Sequence, residues 1–378
     1  MLKYDINSYR ALFPVIKTGT IYLNHAATSP LPTKVIDAVN KYLKERSETQ
    51  IDNLASFQPT LTETRGFAAR LLNTTPDRIA FFGNTTNAIN LLATGIEWKT
   101  GDRIILDDIE FPANVYPFLN LKRLGVEVDF VKNRDGKILL EDLEAKITPR
   151  TKLLSISHVQ FLTGYRSDLK AIGELCKKRG IIFSVDAIQA AGVMPIDVQE
   201  MKIDFLATGG QKWLMSPQGI AFAYVSEEMQ GRITQAYLGW TSIKNFFGEF
   251  TRYRLDLDDT ARRYENGTMN FIGITSLHES LSTLLEVGID SIEEHVLDLS
   301  DKLISELKSL GLHAYVEGSR KDRSGIISIR VPDADAYSAK LAKAKIVVAV
   351  RQGVIRVSPH FYNTEEEILT LVENLKQI

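Results

Sequence analysis

The sequence predicts an α/β protein, with a large domain built on a mainly parallel sheet sandwiched by helices and a smaller α+β C-terminal domain. Two observations carry this expectation. Short apolar runs alternate with helical patterns from about Asn73 to Tyr224, as expected when a parallel sheet is covered on both faces. After about Glu265 the alternation stops, and two long helical stretches precede several short strand-like pieces. The expected boundaries are 15–270 for the large domain and 271–378 for the small one, with residues 1–14 packed on the latter.

In the large domain, strands are expected at Arg78–Phe82, Arg103–Leu106, Glu127–Val131, Lys152–Ser157, Ile181–Val185, Asp204–Ala207 and Ile220–Val225. Helical stretches lie between several of them, at Ala88–Leu92, Val115–Leu124 and Leu169–Arg179. Toward the C-terminus, Ile272–Val287 and Ile289–Leu310 read as helices, the second closed by Gly311. Strand-like pieces follow at Gly325–Val331 and Ile346–Val350, and Val354–Ser358 is expected to pair with the latter across a Gln352-Gly353 turn. Thr364-x-x-Glu367 matches a capping box and predicts a final helix.

Bulk properties narrow the function classes. A chain of 378 residues is too long for one small core and suggests two domains. A formal net charge of −2 supplies no basic field toward nucleic acid or an anionic membrane. The N-terminal stretch has no apolar core of signal-peptide length, and no run approaches the roughly 20 apolar residues that span a bilayer. The single cysteine, Cys176, excludes an intramolecular disulfide and a cysteine-based metal cluster, and no metal ligands are assigned. A cytoplasmic protein binding neither nucleic acid nor membrane is expected.

The chemistry is concentrated between Asp186 and Gly219. Lys212 stands in a Gly-rich turn behind a short apolar strand, in DFLATGGQKWLMSPQG. A lysine there gains little from packing, because ordering its long stem costs rotamer entropy. A lysine that forms a Schiff base does need such a place, and the apolar Trp213-Leu214-Met215 after it argues against a solvated loop. Asp186 ends the strand before it and serves either as a helix cap or as the partner of a pyridine nitrogen. Gln189 stands three residues on, within reach of a ring hydroxyl. Lysine and acid together are the protein half of a pyridoxal 5′-phosphate (PLP) site. The turn Gly83-Asn84-Thr85-Thr86, between a strand and a helix, is either ordinary N-capping or a phosphate site made of free N–H groups and hydroxyls.

With phosphate turn, aspartate and lysine in this order, the chain resembles the class V aminotransferases, a PLP-dependent family with the fold of the aspartate-aminotransferase group. The likeness runs from Ile21-Tyr22-Leu23-Asn24-His25-Ala26-Ala27-Thr28 to Ile355-Arg356-Val357-Ser358-Pro359. The resemblance implies Lys212 as the Schiff-base lysine, Asp186 at the pyridine nitrogen and Gln189 at the phenolic oxygen. It places Asn84, Thr85, Thr86 and Gln211 at the phosphate, with Gln211 where histidine is common. It makes the large domain the PLP-binding one and implies a homodimer in which Gly267-Thr268 reaches the partner subunit's cofactor. Arg356 resembles the arginine that forks onto the substrate carboxylate, with Asn24 and His25 lining the site. Arg351 is either a turn-flanking surface residue or a second positive charge near the substrate.

Departures from the pattern matter equally. Cysteine desulfurases of this family place a histidine over the ring, where this chain reads Glu110-Phe111-Pro112-Ala113-Asn114. Phe111 can stack on a pyridine but cannot move a proton. The segment VVAVRQGVI, 347–355, holds no cysteine to accept sulfur, and Phe161 stands where desulfurases tend to have asparagine. Cys176 falls on the apolar stripe of a predicted helix and is expected to be buried. Together with Leu238-Gly239-Trp240, these features resemble the kynureninase-like and isopenicillin-epimerase-like branch. The first expectation is an aminotransferase of class V type. The alternatives are a lyase or epimerase, a desulfurase-like enzyme without the usual cysteine, or a PLP-fold scaffold without turnover.

Overall fold

The computed structural model describes residues 4–248 and 251–376. Its strands are β1 (Ile21–Tyr22), β2 (Ile79–Phe82), β3 (Arg103–Asp107), β4 (Glu127–Val131), β5 (Thr151–Ser157), β6 (Ile182–Asp186), β7 (Phe205–Gly209) and β8 (Ala221–Val225), then β9 (His313–Ala314), β10 (Ile327–Arg330), β11 (Ile346–Val347), β12 (Ala349–Arg351) and β13 (Val354–Val357). Strands β2 to β8 form one sheet in the order β2-β8-β7-β6-β5-β3-β4. Only β8 runs against its neighbours, pairing antiparallel with both β2 and β7, so the sheet is mainly parallel as expected.

Alternate side chains of the strands enter two different cores, so both faces of the sheet are largely apolar. Ile79, Phe81, Ile105, Leu154, Phe183, Val185 and Leu206 join the cluster on one face. Ala80, Ile104, Leu106, Leu153, Ile182, Phe205 and Ala207 join the cluster on the other. Helix Leu169–Arg179 covers the first face with Ile172 and Cys176, and helix Thr85–Gly95 covers the second with Ala88, Ile89 and Leu92. The ends Phe82, Asp107, Ser157, Asp186 and Gly209 of codirectional strands therefore lie along one edge of the sheet. Loops beyond the carboxyl ends of such strands are where these folds hold ligands.

The C-terminal part carries a four-stranded antiparallel sheet in the order β12-β13-β10-β9, with its own apolar cluster. The expected strand Ile346–Val350 is divided. Ala349–Arg351 forms the hairpin with β13, whereas Ile346–Val347 pairs in parallel with β1. An N-terminal segment thus completes a C-terminal ladder, which no local pattern announces. The hairpin closes through Gln352 (φ 45°) and Gly353 (φ 81°), the two positive φ values that a type I′ turn requires.

Two helices also differ from expectation. Val115–Leu124 is a single α turn, Tyr116–Leu119, tightening into a 3₁₀ segment that stops at Gly125. Helix Phe271–Val287, expected to open the smaller domain, contributes Phe271, Ile274, Leu277, Leu281 and Leu284 to the core of the large sheet. The N-terminal residues lie on the C-terminal part: Tyr4 Oη donates to Phe361 O at 2.6 Å, and Arg10 pairs with Glu367 at 2.9 Å. Residues 1–3, part of the 1–14 expectation, lie outside the described residues. The capping box at Thr364 forms, with Thr364 N donating to Glu367 Oε2 and Glu367 N donating to Thr364 Oγ1.

Candidate active site

Lys212 is held on a loop whose backbone closes on itself. Gly210 N donates to Ile220 O, Ser216 N to Gly210 O and Met215 N to Lys212 O, each at 2.9 Å. Met215 takes a left-handed backbone (φ 50°), unusual for a bulky residue and sustained here by packing. Trp213, Leu214 and Met215 are wholly buried, so the loop is anchored from below and Lys212 stands over it. Its Nζ lies 5.5 Å from the centre of the Phe111 ring, which packs edge-on against Phe161 at 5.2 Å. Burial pushes the Lys212 amine down to about 8; Asp186 opposes this, and Arg356 and Arg351 add to it.

Asp186, at the end of β6, is 2% exposed. Ile188 N donates to its Oδ1 at 2.9 Å, a weak settlement for a buried carboxylate. Burial pushes its pKa up to about 7, the Ile188 N–H opposes that, Glu110 reinforces it and Lys212 counters it. A carboxylate so placed is stabilised as an anion by a cation at its free oxygen, the role a protonated pyridine fills.

The residues expected to meet a phosphate gather at the end of β7 and the Asn84 turn. Asn84 caps helix Thr85–Gly95, its Oδ1 accepting from Asn87 N at 2.8 Å. Thr85 is buried, and its Oγ1 has no partner; Thr86 follows on the first turn and is half-buried. At Gly209 a Cβ would sit 2.7 Å from Gln211 Oε1 and 3.0 Å from Thr85 Oγ1, so both side chains converge where the backbone is bare. Helix N-terminus, hydroxyl and amide together suit an anion, and the residues present fit PLP.

The remaining expectations divide. Gln189 Nε2 donates to Ala26 O at 3.0 Å and its Oε1 accepts from Trp213 Nε1 at 2.9 Å, which leaves one N–H for a ring oxygen. Asn24 bridges to Ser358 and keeps its Oδ1 unpartnered. His25 is fully buried with both ring nitrogens engaged, Nδ1 with Ser358 O and Nε2 with Tyr362 Oη, each at 2.8 Å. It braces the Asn24 turn, with both ring nitrogens spent on Ser358 and Tyr362. Arg356, on β13, is 2% exposed; its Nη1 donates to Phe161 O at 2.9 Å and its Nε has no partner. Thr268 is exposed on the wall of a cavity of about 660 Å³ that Gly83 and Asn87 also line.

Sequence reading missed an acidic layer beneath Asp186. Glu110 accepts from Ser157 N and from Ser157 Oγ, and Gln160 Nε2 donates to both Asp107 Oδ2 (2.9 Å) and Glu110 Oε1 (3.1 Å). Asp107 is held well above the usual carboxylate range, first by burial and then by Glu110. The signal was available, since three acids close β3 and the turn after it. His158, fully buried with Nδ1 unpartnered, was also overlooked.

The pattern of the family "Aminotransferase class-V" matches residues 21–371. Among curated relatives, a "Probable cysteine desulfurase" of Methanothermobacter thermautotrophicus is 30% identical, the alignment covering 95% of this chain and 94% of the relative. The "Uncharacterized aminotransferase YcbU" of Bacillus subtilis is also 30% identical, covering 97% and 96%. Among solved structures, a cysteine desulfurase from Thermococcus onnurineus NA1 superposes with a TM-score of 0.89 at 28% identity, over 100% of this chain and 99% of that one. With the family pattern spanning nearly the whole chain, and Lys212, Asp186 and the Asn84 turn at one sheet edge, the chain belongs to the class-V aminotransferase family of PLP-dependent enzymes.

Proposed function

We propose that this protein is an aminotransferase acting on an amino acid, with Lys212 as the residue that carries the cofactor. The observation that carries the reading is the half-buried Lys212, its amine 5.5 Å from the Phe111 ring and under the charges of Asp186 and of an Arg356 that has no ion pair among the described residues. PLP, when bound, supplies an aldehyde for the substrate amine and a ring that takes up the electron pair left by the departing α-proton. Thr85, Gln211, Asn84 and Thr86 would hold its phosphate, Asp186 would keep the proton on its ring nitrogen, and Phe111 would pack against its ring. Gln189 offers its remaining N–H to the ring oxygen. Arg356 takes the substrate carboxylate by its fork, with Asn24 beside it. Lys212 Nζ then takes and returns the α-proton, as an amine with a pKa of about 8 can do near neutral pH.

A lyase or epimerase would use the same groups. Desulfurase chemistry has the relatives' printed names in its favour, but this chain's own thiol is poorly placed. Cys176 is 1% exposed in the core, and burial pushes its thiol up to about 12. The hairpin turn beside Arg356 consists of Gln352 and Gly353 alone. A homodimer belongs to this proposal: Thr268, Gly83 and Asn87 share one cavity wall, and the neighbouring Tyr237, Leu238 and Trp240 expose large apolar surface. A cytoplasmic setting is part of the same reading.

The test is the visible spectrum of the PLP-loaded protein titrated with single L-amino acids, without keto acid. The expected result is conversion of the band to the pyridoxamine form with one keto acid released per site. Product accumulating in excess of enzyme while the band persists would replace transamination by elimination or epimerisation. A retained band that no amine alters would make the protein a scaffold.

A further inference from the structure

The substrate side of the site carries a second guanidinium that no group of the described chain neutralises. In the β12–β13 hairpin Ala349 pairs with Arg356 and Arg351 pairs with Val354. Opposed residues of an antiparallel pair share a face, and alternation along each strand puts 349, 351, 354 and 356 on the same one. Arg351 is therefore the diagonal neighbour of Arg356, at a spacing of roughly 7–8 Å. The two-residue turn between the strands keeps the pair stiff.

Neither arginine makes an ion pair with a carboxylate among the described residues. Arg351 Nη1 donates to the carbonyl of its own neighbour Val350 at 2.8 Å, and Arg356 Nη1 donates to Phe161 O. Arg351 is exposed, whereas Arg356 is buried at the base of the hairpin. Both positive charges act on Lys212, and the acids Asp186, Glu110 and Asp107 lie at or just beyond the strand ends. A single α-carboxylate satisfies the fork of Arg356 and leaves Arg351 uncompensated. The anion site at Thr85 and Gln211 has its own donors.

We infer that the amino-acid substrate carries a second anionic group on its side chain, a carboxylate one or two carbons beyond the α-carbon, and that Arg351 binds it. This rests on the aminotransferase reading above for the chemistry, but not for the anion subsite. Arg351 is then the residue that sets specificity, selecting a dicarboxylic amino acid over its amide.

The experiment compares L-aspartate with L-asparagine and L-glutamate with L-glutamine in the spectral half-reaction, and succinate with succinamate as non-reacting ligands by calorimetry. Wild-type protein, Arg351→Gln and Arg351→Lys are each used loaded with PLP. One acid is expected to exceed its amide in kcat/KM by about tenfold to a hundredfold, as a charge-assisted pair predicts. That ratio should fall close to one in Arg351→Gln and recover in part in Arg351→Lys, with the preference for succinate over succinamate following it. Equal reaction of acid and amide in the wild type overturns the inference, as does a preference that survives Arg351→Gln. If no amino acid reacts but succinate still binds in an Arg351-dependent way, the aminotransferase reading fails and the anion subsite stands. If nothing reacts and succinate binds no better than succinamate, both fall.

Discussion

At the scale of single residues, Lys212, the proposed cofactor-bearing lysine, makes a sharp prediction. Only the neutral amine attacks an aldehyde, and burial brings its pKa to about 8. The rate at which apo-protein develops the visible PLP band should therefore rise with pH up to about 8 and level off above it. An ordinary lysine would keep gaining up to about 10.4. Lys212→Ala should abolish the band of the covalently held cofactor; an unchanged spectrum would remove the assignment. Cys176 predicts the opposite behaviour. Its thiol is packed on helix Leu169–Arg179 among Leu169 and Ile172. Cys176→Ser should keep turnover and cost about 1–3 kcal/mol of stability by burying a poorly paired hydroxyl. Urea unfolding beside a turnover assay separates the two effects, and selective loss of turnover would revive sulfur transfer.

At the scale of elements, the segment that leads to Thr268 is anchored by a buried ion pair. Arg65, on helix Gln58–Leu71, meets Glu265 through two bonds of 2.7 and 3.0 Å. Glu265 also accepts from Phe81 N on β2 at 2.9 Å, and Arg65 donates to Ile79 O at 2.6 Å. Removing one partner of such a pair leaves the other charge buried and alone, which is worth about 3–5 kcal/mol. Glu265→Ala should therefore lower the denaturation midpoint sharply and weaken PLP binding, because Gly267 and Thr268 follow directly. Normal PLP affinity in a destabilised Glu265→Ala protein would show that the anchor serves folding alone. The elements themselves were well signalled. All strands expected in the large domain form, since runs such as Lys152–Ser157 and Ile181–Val185 carry apolar residues for both faces of the sheet and are bounded by turns. Val115–Leu124 failed as a continuous helix because apolar periodicity says nothing about where a short turn tightens.

At the scale of the molecule, exposed apolar surface gathers on one stretch, with Tyr237, Leu238, Trp240, Phe247, Tyr253 and Leu255 all exposed, Tyr253 to 91%. In the proposed homodimer a second copy would cover this stretch. Tyr237 lines the cavity shared by Thr268 and Gly83, so Tyr237→Asp should shift the protein toward monomer in light scattering and weaken PLP binding together. A dimer that persists with unchanged affinity would move the interface elsewhere. The division into a large and a small unit is likewise a proposal, and the packing of helix Phe271–Val287 on the large sheet favours Gly288 over residue 270 as the point of change.

Legibility tracked the range of the interaction. Strand and helix identity, the Gln352-Gly353 turn, the capping box at Thr364 and the burial of Cys176 follow from neighbours within a few residues, where periodicity and φ preference act. Lys212, Asp186 and the Asn84 turn could be placed near one another because each ends a strand or follows one within three residues, and ends of codirectional strands share one edge whatever the connections. Contacts between distant parts of the chain were decided by tertiary structure alone. The pairing of Ile21–Tyr22 with Ile346–Val347 rescues two short strands that could not stand singly. The capture of both His25 nitrogens by Ser358 and Tyr362 ties the N-terminal turn to the C-terminal part. Asp107, Glu110 and Gln160 form a network under Asp186 only because β3, β5 and β6 lie side by side. Burial and charge depend on what surrounds a group in space, so the sequence determined which groups the site has to work with, and the fold decided their protonation, their partners and their reach.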